Sequence, residues 1–583
     1  MIVARDGNIM HKQSDKPYQN HFYPKIQLCI RITTKIWYFI AAMVYLFSST
    51  PVFSQESIHE DIYKIDIDCS SGNLKVDAIL HEFQPSEKIC LPAFGQRFGE
   101  KFDHLQILGL NDKPMNLSWD PYGCVVFPYY ESKLKFHYEL SISELPEGHY
   151  WQASGLSAYH KGELIAFPGE SLFIERGADN SKTASLETIV SVTTVHSKTQ
   201  VFSSLKHDKS SGTDPSVFRA HHPYELTRSY WTTGMTYMLS SSSGMMSWLI
   251  AVAPGWHTGI STVEREFRSI LDEYDRMMPG RTPETFTIFL FPADFDANYQ
   301  HGFARPGGLV VQMGTKSSLD PDSRRVLIAH ELFHLYNGES IQYDMSDYVN
   351  TAWFREGVTQ YIAYHTLLSL GMISKKTLYH WLVLCADHLL QPSQKDTKLS
   401  QQEFAYYYGF LMGMVIDNQW SAYHTDYSMK SFFKWLSQSP FWKLRLDNSS
   451  ILNSLQSYSK FDFNEFFKRY IYQRQNFPID VLLKNNHLCL YETKRLKYET
   501  GIHYRYDPVC ARLIADIIEP GSIGEKAGLK SGDILIPSPD MDWQDSSKKQ
   551  LSVIRDSKRI QMHLPASAEY QMSYDIKACI PVQ

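Results

Sequence analysis

The chain has 583 residues, a net charge of −6 and no long basic run, which argues against nucleic acid as a partner. Hydrophobic residues make up 43% and charged residues 21%, the balance of a folded globular protein rather than a disordered one. The length suits about three or four domains.

The N-terminus reads as an export signal. Lys25, Arg31 and Lys35 precede an apolar run over residues 36–47, and small residues follow up to Ser54. The run of about a dozen residues is short of the roughly twenty that a membrane span needs. Residues 1–54 are therefore expected to be a signal peptide or leader, and the protein to be exported, periplasmic or secreted. Membrane attachment would require that leader to stay uncleaved as an anchor. Beyond the leader seven cysteines remain: Cys69, Cys90, Cys124, Cys385, Cys489, Cys510 and Cys579. An exported chain can oxidise pairs of them, and the odd number leaves at least one thiol without an intrachain disulfide partner.

Residues 55–205 read as a β-sandwich-like domain. Residues 62–68 alternate in part and residues 134–140 throughout, with turn signals at Asn73, Gly123 and 146–148. The polar segment 206–215 reads as a linker or exposed loop. A helix is predicted over 261–278, with Val263, Phe267, Ile270, Leu271 and Tyr274 on one face, and a strand over 285–291.

The most informative segment is His330-Glu331-Leu332-Phe333-His334. On a helix, residues four apart share a face, so both imidazoles can aim at one point. Leu327, Ile328, Leu332 and Leu335 give a helical apolar pattern, Asp320 and Ser323 offer N-cap chemistry, and Gly338 can end the helix. Catalytic zinc sites usually hold three protein ligands and keep a position for water. Glu356, in Trp353-Phe354-Arg355-Glu356-Gly357 on a second predicted helix over 351–370, is the candidate third ligand. Glu331 suits a general base beside the metal. His365, His380 and His388 lack paired ligand spacing and are expected to be structural or exposed; His301 stays unassigned. A tetrahedral intermediate also needs a hydrogen-bond donor opposite the metal, which a phenol can supply. Tyr406, Tyr407 and Tyr408 all offer one, and all three could instead line a core helix.

His-Glu-Leu-Phe-His followed by residues 353–361 resembles the gluzincin metallopeptidases, and most closely the glycyl aminopeptidase family. The resemblance implies a multidomain α+β chain: an N-terminal β domain (55–205), a thermolysin-like, mostly helical zinc-peptidase domain (216–475) and a C-terminal PDZ-like domain (490–583). It implies peptide-bond hydrolysis with one Zn2+ per chain, a peptide or protein as substrate, and aminopeptidase action. By the same resemblance Tyr406 falls on the family's oxyanion-stabilising Tyr, with Tyr408 where the family has Lys. Residues 302–314 resemble the edge strand over which substrate lies, which makes Gly307, Gly308 and Leu309 substrate-binding candidates. Val310 and Val311 stand where such enzymes often place an acid for the substrate's free amine, so internal cleavage is the competing expectation. A peptide-binding scaffold with an inactive peptidase fold is the other; the complete ligand set with Glu331 present argues against it. Residues 517–535 resemble the strand–helix–turn core of a PDZ domain, which implies a C-terminal peptide as a further ligand.

Overall fold

A computed structural model describes residues 60–579 apart from short gaps, the longest at 93–100, 145–157, 177–186, 391–400 and 537–549. These residues belong to one compact unit, His59–Gln583. The expected leader, 1–54, lies outside the described residues. Among those residues no helix is long and apolar enough to cross a membrane.

The N-terminal domain is built on a seven-stranded sheet, joined by a four-stranded and a three-stranded one. Alternation along Asp61–Asp68 and over most of Asn73–Phe83 puts Tyr63, Ile65, Ile67, Val76, Ala78 and Leu80 into a shared core, as a period of two requires. The expected linker is not one throughout. Lys206–His207 is a strand, 209–214 lies outside the described residues, and Ser216–Ala220 pairs with Thr188–Val195 of the N-terminal sheet. Tyr230–Thr232 also pairs back onto Leu164–Pro168. The N-terminal sheets thus take strands from beyond the boundary expected at 205, because polar turn residues there connect paired strands. The Cys90–Cys124 disulfide joins two strands of the three-stranded sheet.

The central domain opens with a five-stranded sheet. Its strand order is Tyr237–Ser243, Met246–Val252, Thr285–Pro292, Gly308–Met313 and, at the edge, Gln300–Arg305. The predicted helix forms over Ile260–Met277 and buries the five predicted residues. It anchors the helix Pro321–Phe333, which carries His330 and has His334 as its C-cap: Tyr274 donates to the Ala329 carbonyl at 2.8 Å, and Glu266 accepts from Arg324 and Arg325, each at 2.8 Å. Further helices, from Thr359–Ser369 to Ile479–Asn485, complete the domain.

The C-terminal segment forms a five-stranded antiparallel sheet with a short helix, Ile523–Lys526. Leu529 and Leu535 are buried in its core, and Gly521, Gly528 and Gly532 all take positive φ at the turns around the helix, a conformation that favours glycine. By the PDZ resemblance a carboxylate-binding loop is expected near 497–504; of that segment 497–501 lies outside the described residues, and the strand Ile502–Asp507 takes up the rest. A two-stranded ribbon, Leu488–Leu496 with Tyr570–Ala578, is closed by the Cys489–Cys579 disulfide and hydrogen-bonded to Asp387 of the central domain through Ser573 and Tyr574. Cys69 and Cys385 are buried thiols; Cys510 lies outside the described residues.

Candidate functional site

The helix Pro321–Phe333 begins where Asp320 caps it, its side chain accepting from the Ser323 amide at 3.1 Å, with Pro321 at the first helical position. One turn separates His330 from His334, and their Nε2 atoms lie 3.0 Å apart. The backbone leaves helical geometry at Asn337 and Gly338, which ends the helix and brings the Asn337 carbonyl 3.2 Å from His334 Nδ1. Asn337 ties this helix to the next, its amide donating to the Phe354 carbonyl and the Thr359 hydroxyl, each at 3.0 Å.

Glu356 sits in a wide π-helical turn, Trp353–Val358, and Tyr406 in another, Glu403–Tyr408. Such turns recur at functional sites because they re-aim side chains within a helix. Two glycines let these segments touch. A Cβ on Gly357 would lie 2.4 Å from the Gly409 backbone, and one on Gly409 would lie 2.4 Å from the Trp353 carbonyl oxygen.

The result is a cluster of His330, His334 and Glu356. Glu356 Oε2 lies 3.2 Å from His334 Nε2 and 3.5 Å from His330 Nε2. Ligand atoms around a tetrahedral zinc with bonds of about 2.0–2.1 Å are separated by roughly 3.3 Å, so the three donors fit such an ion as they stand. Electrostatics agree. Burial alone would lower the His334 pKa, but Glu356 overrides it and pushes it up to about 9. Burial would likewise raise the Glu356 pKa, and the histidines and Arg355 hold it well below the ordinary carboxylate range instead. The negative charge of Glu356 is thus matched to a cation at this point. His334 Nδ1 has the Asn337 carbonyl behind it, the usual support for a ligating imidazole; His330 Nδ1 has no partner among the described residues.

Glu331 is buried beside the cluster, and burial raises its pKa against the pull of the two histidines. Its neighbour is Gly302 of the edge strand: a Cβ there would come within 2.5 Å of the Glu331 Cγ. Sequence inspection overlooked Gly302, although it stands in the segment taken for the substrate strand. The three tyrosines separate. Tyr406 stacks on His330, ring centroids 5.9 Å apart, and hydrogen-bonds to Glu356. Tyr407 stacks on His388 at 4.2 Å, and Tyr408 donates to the Gln475 carbonyl at 2.8 Å, so neither reaches the cluster.

Gly307, Gly308 and Leu309 are not on the edge. Gly307 and Gly308 pack against Ser204 of the N-terminal domain, and Leu309 is fully buried in a strand held between two neighbours. The edge strand is Gln300–Arg305, because the chain reverses at 306–307 and runs back inside.

Residues 323–431 match the M61 glycyl aminopeptidase family. The structure is similar to that of an aminopeptidase N family protein from Idiomarina loihiensis, with a TM-score of 0.63 at 15% identity, covering 89% of this chain and 98% of that one. An M1 zinc metallopeptidase from Deinococcus radiodurans aligns with a TM-score of 0.49 at 14% identity, over 72% of this chain and 95% of that one. No curated protein sequence matches the chain. The family match over the segment that carries both motifs, with the shared fold, supports a peptidase of a metallopeptidase family.

Proposed function

We propose that this chain is an exported zinc peptidase in which His330, His334 and Glu356 hold one zinc ion. The observation that carries the proposal is the convergence of these three donors at tetrahedral spacing beside a buried carboxylate and a phenol. When bound, zinc supplies Lewis acidity and makes water acidic enough to be deprotonated near neutral pH. Imidazole and carboxylate donors suit it.

The chain's own residues do the rest. Glu331 takes a proton from the attacking water and returns it to the leaving amine, and its raised pKa makes both transfers easier near neutrality. Tyr406 donates its hydroxyl proton to the oxygen that becomes negative as the carbonyl turns tetrahedral. Its pKa is raised, by burial first and by Glu356 and Glu331 next, so it stays a donor throughout the neutral range. Gly302 leaves room for Glu331, and the edge strand can pair with an extended peptide.

Export is supported by the two disulfides, which suit an oxidising compartment. The C-terminal five-stranded sheet with its glycine turns is proposed to be a PDZ-like module that binds an extended peptide, complementing a peptide or protein substrate at the metal site.

Protein purified without residues 1–54 is expected to carry one equivalent of zinc by elemental mass spectrometry and to cleave bonds in a mixed peptide library. Zinc-free protein after purification in zinc-supplemented medium would sink the proposal. Tyr406→Phe is expected to lose about 10²-fold in kcat with KM and zinc content little changed. Tyr408→Phe, which loses a bond to the Gln475 carbonyl away from the cluster, should keep wild-type kcat.

A further inference from the structure

Four charged residues meet where the edge strand ends. Arg305, the last residue of that strand, pairs with Glu170 of the N-terminal domain at 2.9 Å, and Arg228 pairs with Glu339 at 3.0 Å. The Arg305 side chain is only 5% exposed. Glu339 is close in sequence to His334, its amide donating to the His334 carbonyl at 2.9 Å. Arg305 and Arg228 each act on Glu170, and Glu339 acts on both arginines, so the four behave as one cluster.

The placement follows from strand geometry. Gly302 lies against Glu331, and Arg305 is three residues further on, about 10 Å along the strand. A peptide added to this edge in the antiparallel sense, the more stable pairing, has its amino side toward Arg305 when its scissile bond lies beside Glu331. A free α-ammonium buried at that end needs an uncommitted carboxylate. Both carboxylates of the cluster are held by arginines, and Arg305 itself repels a cation. The buried cluster atoms with no hydrogen-bond partner among the described residues include Glu170 Oε2, an acceptor, and Arg228 Nε, a donor. An amide offers one N–H and one C=O, the complement of that pair.

We propose that Arg305 is a specificity-determining residue that sets the amino-side subsite for an uncharged amide, so that the enzyme cuts peptides that are blocked at the amino end or cut internally. This rests on the zinc peptidase proposal and departs from the aminopeptidase action that the family resemblance implies.

The test uses matched peptides, one N-acetylated and one with a free amino end, on the zinc-loaded protein. The acetylated peptide is expected to have at least a tenfold higher kcat/KM. Arg305→Lys keeps a cation and should keep that ratio; Arg305→Gln leaves Glu170 unpaired and should shift the ratio at least tenfold toward the free peptide. A wild-type preference for the free peptide overturns the proposal and leaves the peptidase intact. Equal ratios in the Lys and Gln variants overturn the assignment to Arg305. Zinc-loaded protein that cleaves neither peptide, nor any in a mixed library, overturns the peptidase proposal and this one with it.

Discussion

Glu331→Gln should lower kcat by roughly 10⁴-fold, the upper end of what a general acid–base group contributes, while zinc content and peptide affinity stay as in the wild type. The upper end is expected because one carboxylate serves two transfers, first accepting the proton of water and then donating it to the amine. Glutamine has the same shape but cannot accept that proton at neutral pH. It also fits the space, since glutamine has nearly the volume of glutamate and the missing side chain of Gly302 leaves the same room for either. Glu331 is not among the three clustered donors, so the metal should remain. The measurement is single-turnover kinetics on a peptide that the wild type cleaves, with zinc quantified on the same sample. A variant that keeps more than a tenth of the wild-type rate would remove Glu331 from the base role.

Much of the candidate site was legible in the sequence because its parts are local. His330 and His334 are one helical turn apart, and helical periodicity alone places them together. Glu356 lies further on but within a motif that resembles a known family. The choice among Tyr406, Tyr407 and Tyr408 was not legible, because a π-helical turn shifts which side chain faces the cluster, and no periodicity records that shift. Nor was the edge strand. Residues 302–314 contain two strands and a reversal, and both Gln300–Arg305 and Gly308–Met313 read as extended; which one is outside depends on pairing with Thr285–Pro292, a long-range fact. The same limit hid Glu170, which reaches Arg305 only when two domains pack. In the fold, the helix over Ile260–Met277 and the strand over Thr285–Pro292 followed from pattern, whereas the polar stretch after 205 read as a linker because turn chemistry is the same inside a sheet as between domains.

Gly357→Ala is the second large effect, and it acts without touching a reacting atom. The added Cβ would lie 2.4 Å from the Gly409 backbone and 2.5 Å from the Ala405 carbonyl oxygen, where ordinary contacts are 3.4–4 Å. Neither obstacle is the end of a flexible side chain, so the two segments must part by about 1 Å. Overpacking of this kind costs about 1–3 kcal/mol, and contact with backbone on both sides puts it at the top of that range. The chemical consequence is larger. Glu356 is the adjacent residue and Tyr406 is on the opposed segment, so the displacement moves one donor away from the histidines and the phenol away from both. Metal sites tolerate about 0.2 Å in ligand distance. A shift several times greater should leave His330 and His334 as the only ligands, with zinc affinity down at least a hundredfold and hydrolysis lost at ordinary zinc concentrations. Competition against a fluorescent chelator reads the affinity, and thermal unfolding reads the stability. Gly259→Ala is the control: a Cβ there meets nothing within 4 Å, so zinc binding should be unchanged. If Gly357→Ala binds zinc as tightly as the wild type, the close crossing of the two segments is not what sets the distance between Glu356 and the histidines.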